Sequence, residues 1–191
     1  KGEKIAIYAR NSAEWVNAYF ATLTYGAVTV PFLPDFIPSA VAELASFSEC
    51  KILLADDIAI KGLKADETTV ATLEKTTGFS GIVNIKDISV EHATLKALSE
   101  AHDAMDEIFA KQYPYGLKVE DVNYYPVERD MEDIVEISFT SGTTSATSKG
   151  VVLPARSLSV NLDFAQREIP VAQGGHIFAI LPMAHMFGQT F

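Results

Sequence analysis

"SFTSGTTSATSKGVVLP", Ser138 to Pro154, places seven hydroxyl side chains between Thr140 and Ser148, with Gly142 among them and Lys149 just after. Two apolar runs, "IVEISF" and "GVVLP", flank the polar stretch and read as strands, one entering and one leaving a loop. Ordering such a loop is costly, because Gly142 and small polar residues have many alternatives in the unfolded chain. A plain surface linker needs no such order. A loop that wraps a phosphate does, since backbone N–H groups, hydroxyls and one lysine make a field for an anion. The pattern is not a Walker A loop, which requires Gly, four residues, Gly, Lys, then Ser or Thr. Counted from Gly142, the second glycine position holds Thr147, and Gly150 follows Lys149 where a hydroxyl is required. Without a ligand, the same stretch reads as a polar hairpin.

Upstream, the elements alternate. "KIAIYA", Lys4 to Ala9, is strand-like, and "NSAEW" starts a helix with Asn11 as N-cap and Glu14 three residues on, a capping-box spacing. Trp15, Tyr19 and Leu23 recur at helical spacing, Val16 and Phe20 widen that face, and Gly26 closes it. "AVTVPF", Ala27 to Phe32, is a buried strand; Pro38 opens a helix carrying Val41, Leu44 and Ala45; "KILLAD", Lys51 to Asp56, is the third strand. Strand, helix, strand, helix, strand is the pattern of an α/β fold with a mostly parallel sheet flanked by helices.

Further on, "SGIVNI", Ser80 to Ile85, is a strand, and Glu91 to Tyr113 reads as one long helix with Leu95, Leu98, His102, Met105 and Phe109 on one face. Tyr113 to Asp133 is rich in proline and acid and reads as a surface connection, and the acidic residues from Glu128 to Glu136 as a solvated stretch. "SLSVNLDFAQ" returns to helical spacing, and "HIFAILP", His176 to Pro182, reads as a last buried strand.

Composition narrows the function classes. Of 191 residues, 48% are hydrophobic and 21% charged, which is ordinary for a folded globular chain. Fifteen basic against twenty-five acidic residues give a net charge of -10, which argues against nucleic acid or an anionic membrane surface as partner. Cys50 is the single cysteine and can form no internal disulfide, which fits a cytoplasmic protein. No apolar run has the length of a membrane span. His92, His102 and His176 stand at no metal-ligand spacing, so no metal ligands are expected within the chain. Both ends read as cut: Lys1 lies just before a strand, and Phe191 falls inside an apolar segment. Apolar surface left bare by such a cut leads to an expectation of self-association.

"FTSGTTSATSKGVVLP" resembles the phosphate-binding motif of the adenylate-forming superfamily, which comprises acyl-CoA synthetases, adenylation domains of peptide synthetases and luciferases. The common form is Thr-Ser-Gly-Thr-Thr-Gly, any residue, Pro-Lys-Gly. Two further segments carry the resemblance: "KGEKIAIYARNSAEWVNAYFATLTYGAVTVPF" at the start, and "ILPMAHMFGQTF", with Leu181, Pro182, His185 and Gly188, at the end. This chain departs from the common form by having four residues, Ser145 to Ser148, before Lys149 instead of three, and by lacking the third glycine and the proline.

The resemblance implies the N-terminal part of the large domain of an AMP-forming ligase, most like the long-chain fatty acid CoA ligases. Residues 1–112 would be the α/β portion, 113–133 a connection and 134–191 the phosphate-loop portion, with the C-terminal domain absent. It implies Thr140, Ser141, Gly142, Thr143, Thr144 and Lys149 at the β- and γ-phosphates of ATP, and His185 beside the acid carboxylate. ATP, Mg2+, coenzyme A and a carboxylic acid are the implied cofactors and partners, and the chain alone is expected to be inactive. Two alternatives stay open: an aryl- or medium-chain acid ligase of the same superfamily, and a non-catalytic nucleotide-binding module.

Overall fold

The computed structural model describes residues 2–118, 130–139 and 149–190. It is an α/β fold built on a seven-stranded sheet in the order β5-β4-β3-β1-β2-β6-β7. The centre is parallel: β1 (Lys4–Tyr8) lies between β2 (Val28–Phe32) and β3 (Cys50–Ala55), β4 (Gly81–Asn84) joins β3, and β6 (Ile134–Phe139) joins β2. The two outermost strands, β5 (Val90–Ala93) and β7 (Gly150–Pro154), run antiparallel to their neighbours.

Both faces are covered, as the near-continuous apolar strands require. Alternation along β1 sends Ala6 and Tyr8 to one face, where they join Val30, Phe32, Leu53 and Ile82 under three helices. These are α2 (Pro38–Phe47), α3 (Asp57–Lys64) and α4 (Glu67–Glu74), which contribute Val41, Ala45, Ile60, Leu63 and Leu73. Ile7 and Ala9 point to the other face, against Trp15 and Tyr19 of α1 (Ala13–Tyr25).

Gly26 closes α1 as expected, at φ 81° with its N–H bonded to the Leu23 and Thr22 carbonyls. Pro38 opens α2. The N-cap of α1 is Ser12, not Asn11: its hydroxyl accepts from the Trp15 N–H at 3.1 Å. Phe20, placed by spacing on the buried face, is 58% exposed. Helices α3 and α4 escaped the periodicity reading, although Asp56 and Asp66 cap them by accepting from the N–H groups of Ala59 and Thr68.

Two longer expectations are corrected. Residues 91–113 do not form one helix. Val90–Ala93 pairs with β4, and the rest divides at Ala104 into α5 (Lys96–Asp103) and α6 (Met105–Gln112). "HIFAILP" is not a buried strand. It carries no strand hydrogen bonding, and Ile177, Phe178 and Ile180 are largely exposed.

Candidate functional site

Parallel strands of an open α/β sheet leave their ligand crevice beyond their carboxyl ends. Two segments singled out by the sequence reach that edge here. The first is the hydroxyl-rich stretch. β6 and β7 pair antiparallel with Phe139 opposite Gly150, which sets the two residues flanking the segment 140–149 side by side. The fit at Gly150 is close: a Cβ would come within 3.2 Å of both Ile137 Cγ2 and Phe139 Cε1. Phe139 in turn stacks on Phe32 with ring centroids 5.8 Å apart, which fixes the end of β6 to the core. Lys149, next to Gly150, is exposed at the foot of this hairpin. Thr140, Ser141, Gly142, Thr143 and Thr144 lie outside the described residues.

The second segment is "LPMAHMFG". Ala184 is buried and Met183 packs beside it against the cluster of Ile7, Trp15 and Tyr19. Asn11, three residues past the end of β1, clasps this segment with both ends of its amide. Its Nδ2 donates to the Leu181 carbonyl at 2.8 Å, and its Oδ1 accepts from the Met183 N–H at 2.7 Å. This is why Asn11 does not cap α1. A turn follows, in which the His185 N–H donates to the Pro182 carbonyl at 2.9 Å, and α8 (Met186–Thr190) begins. Gly188 fits because a Cβ there would stand 2.8 Å from the Pro182 carbonyl oxygen. His185 is exposed on the turn. Asn11 sits over β1 and the hairpin over β6, with β2 between, so the two segments share an edge separated by about 10 Å of sheet width.

Asp56 adds rigidity beside Asn11. Its Oδ2 accepts from the Arg10 N–H at 3.1 Å and from Arg10 Nε at 3.0 Å, while its Oδ1 caps α3 at 2.9 Å. Burial works to raise its pKa, but these donors together hold the carboxyl below its ordinary range.

Glu136 is the residue that sequence reasoning misplaced. Read as part of a solvated acidic stretch, it is instead fully buried, beside Thr29 in β2. Its Oε2 accepts from Tyr19 Oη at 2.9 Å. Burial lifts its pKa from 4.5 to about 7, against the opposing pull of Tyr19, Gln189 and Thr29. Burial and the facing carboxyl raise the Tyr19 phenol in turn. Among the described residues no group of three His, Cys, Asp or Glu side chains stands close enough to hold a metal ion, and no helix is long and apolar enough to cross a membrane.

Comparison with known proteins agrees with the fold. Long chain acyl-CoA synthetase 3 of Arabidopsis thaliana is 24% identical over 197 residues, spanning the whole of this chain and 28% of the relative. 4-Coumarate–CoA ligase 2 of Oryza sativa is 24% identical over 190 residues, spanning 97% of this chain and 31% of the relative. The chain thus spans under a third of the length of these curated relatives. Among solved structures, a long-chain-fatty-acid-CoA ligase from Archaeoglobus fulgidus superposes with a TM-score of 0.63 at 23% identity, over all of this chain and 32% of that one. MatB from Rhodopseudomonas palustris gives a TM-score of 0.64 at 18% identity, over 99% of this chain and 32% of that one. The family model described as AMP-binding enzyme matches residues 1–191, and the chain belongs to that family.

Proposed function

We propose that this chain is the triphosphate-facing, N-terminal portion of an AMP-forming acid–thiol ligase, and that the acid is a fatty acid. One observation carries the reading. The β6–β7 hairpin returns both ends of the hydroxyl-rich segment to the sheet edge at which Asn11 also holds the turn bearing His185.

In this reading a carboxylate oxygen of the acid attacks the α-phosphorus of ATP. The bond to the bridging oxygen breaks, and pyrophosphate leaves with the electron pair. The thiolate of coenzyme A then attacks the acyl carbonyl carbon of the adenylate, and AMP departs. Hydroxyl and N–H groups of Thr140, Ser141, Gly142, Thr143 and Thr144, with the Lys149 ammonium, hold the β- and γ-phosphates and offset the charge gathering on the leaving pyrophosphate. The exposed imidazole of His185 orients the acid carboxylate. A Mg2+ ion accompanying the nucleotide would add to that offset of charge.

A second reading has a specific observation in its favour. A 4-coumarate ligase is as similar to this chain as a long-chain acyl-CoA synthetase, at 24% identity each, so an aryl acid is the competing substrate. ATP–pyrophosphate exchange, run on the longer protein carrying this chain with panels of fatty and aryl acids, tests both. Thr143→Ala and Lys149→Ala are expected to slow exchange by roughly ten- to a thousandfold, the scale of losing one positioned donor. Thioester formation from supplied acyl-adenylate is expected to survive. Wild-type exchange in Thr143→Ala at low and saturating ATP would remove the phosphate assignment and leave a polar hairpin.

A further inference from the structure

Glu136 holds a position with no obvious need for an acid. It stands inside a sheet whose centre is mostly apolar, with Thr29 beside it on β2 and Leu153 opposite it on β7. Its Oε2 is satisfied by Tyr19, but among the described residues its Oε1 has no hydrogen-bond partner. The same is true of both amide atoms of Gln189, from α8. Gln189 nevertheless stands near enough to favour the ionised carboxyl, although outside hydrogen-bond geometry. Groups orphaned in this way are costly, and a facing acid and amide are each other's natural remedy.

Three chain segments converge on this one carboxyl. β6 continues three residues beyond Glu136 to Phe139, where the hydroxyl-rich segment starts. Tyr19 comes from α1, the helix that buries Trp15 beside Met183 and Ala184. Gln189 lies one helical turn past His185, and its backbone N–H bonds to the His185 carbonyl at 3.3 Å. We propose that Glu136 is a positioning residue, whose carboxyl ties the strand leading into the hydroxyl-rich loop to the helix that follows His185, through Tyr19 and Gln189. The importance of that tie for catalysis rests on the ligase reading above.

The chemistry depends on charge. A neutral carboxyl can accept from Tyr19 at one oxygen and donate its O–H to Gln189 Oε1. An ionised carboxylate can only accept, and in this dry place Tyr19 and the Gln189 NH2 must replace its water. The groups facing it are Tyr19 from α1, Thr29 from β2 and Gln189 from α8, and Tyr19 is the titratable one among them. Ionisation therefore favours opening of α8 from β6 to admit water, and it loosens the segment that carries His185.

Amide exchange at Gly188 and Gln189 tests this without ATP. Rates divided by their intrinsic values are followed from about pH 5.5 to about pH 8.5. Protection in the wild type is expected to fall roughly tenfold with a midpoint near neutrality, and to stay level in Glu136→Gln. Tyr19→Phe removes a donor to the ionised form, so it is expected to move the midpoint upward. Gln189→Met, which keeps the volume and removes the amide, is expected to do the same. A level wild-type profile, a Glu136→Gln profile that keeps the wild-type slope, or a Tyr19→Phe midpoint that stays put overturns the proposal. A Glu136 that merely fills space gives a uniform change with no midpoint, which also overturns it. Because no readout involves nucleotide, its failure leaves the ligase reading standing, and the loss of that reading leaves this one testable.

Discussion

Replacing Asn11 by alanine removes the clasp on the segment before His185 and little else. Two hydrogen bonds are lost, at 2.8 and 2.7 Å, to the carbonyl of Leu181 and the N–H of Met183. Each contributes about 0.5–1.5 kcal/mol net, and because Asn11 is exposed, water replaces part of both. A local loss of about 1.4 kcal/mol, tenfold in an equilibrium constant, is therefore expected for residues 181–185. Amide exchange reads this directly. The His185 N–H, bonded to the Pro182 carbonyl at 2.9 Å, is expected to exchange roughly tenfold faster, with the amides of β1 and β3 unchanged. Ser12→Ala supplies the contrast, since it removes the cap of α1 and destabilises that helix by about 1 kcal/mol without touching residues 181–183. Unchanged protection at His185 in Asn11→Ala would refute the reasoning. The burial of Ala184 and the packing of Met183 would then be what holds the segment.

The buried carboxyl of Glu136 makes a second prediction, on global stability. Its pKa is raised from 4.5 to about 7, so the folded state binds the proton more tightly, and stability is lost as pH rises through that window, by roughly 3 kcal/mol in all. Urea unfolding of wild type and Glu136→Gln is expected to show the difference shifting toward the variant over that range, and a pH-independent difference counts against it. Gly81 is the third case. Its φ is +154°, and an added Cβ would meet the His92 carbonyl oxygen at 2.0 Å and Leu98 Cδ2 at 2.7 Å. The backbone of β5 cannot yield without breaking its pairing, so Gly81→Ala is expected to cost about 3 kcal/mol or more. An unchanged denaturation midpoint would contradict it.

What could be read from the residues divides by distance along the chain. β1, α1, β2, α2 and β3 were legible because their periods and punctuation, such as Gly26 and Pro38, act within a few residues. The hairpin under the hydroxyl-rich stretch was legible for the same reason. Asn11 was not, because its partners lie 170 and 172 residues away and its sequence neighbours offer a plausible cap instead. Glu136 misled for a related reason: an acid after "MED" reads as solvated, and only Tyr19, 117 residues earlier, marks it as buried. "HIFAILP" has the composition of a strand but pairs with no strand among the described residues, and β-propensity means little without such pairing. Residues 91–113 hold a helical period throughout, yet the first of them are taken by β4 as its antiparallel neighbour.

The position of β6 beside β2 has a consequence for how the molecule comes together in time. β1 to β4 are joined by short crossovers, and each can find its neighbour soon after it is made. The strand that leads into the hydroxyl-rich loop cannot. Thr29 bonds to the carbonyl of Val135 across 106 residues, so β6 closes a long loop before its contacts repay the entropy. On a ribosome, the first four strands and α1 to α4 emerge and can pack before Ile134 is synthesised. The hairpin then docks onto a finished edge at β2, and Glu136 enters last, into a slot already lined by Tyr19 and Thr29. Slow, late docking of that hairpin is what refolding kinetics of this fold would register, with the β6–β7 edge appearing as the final phase.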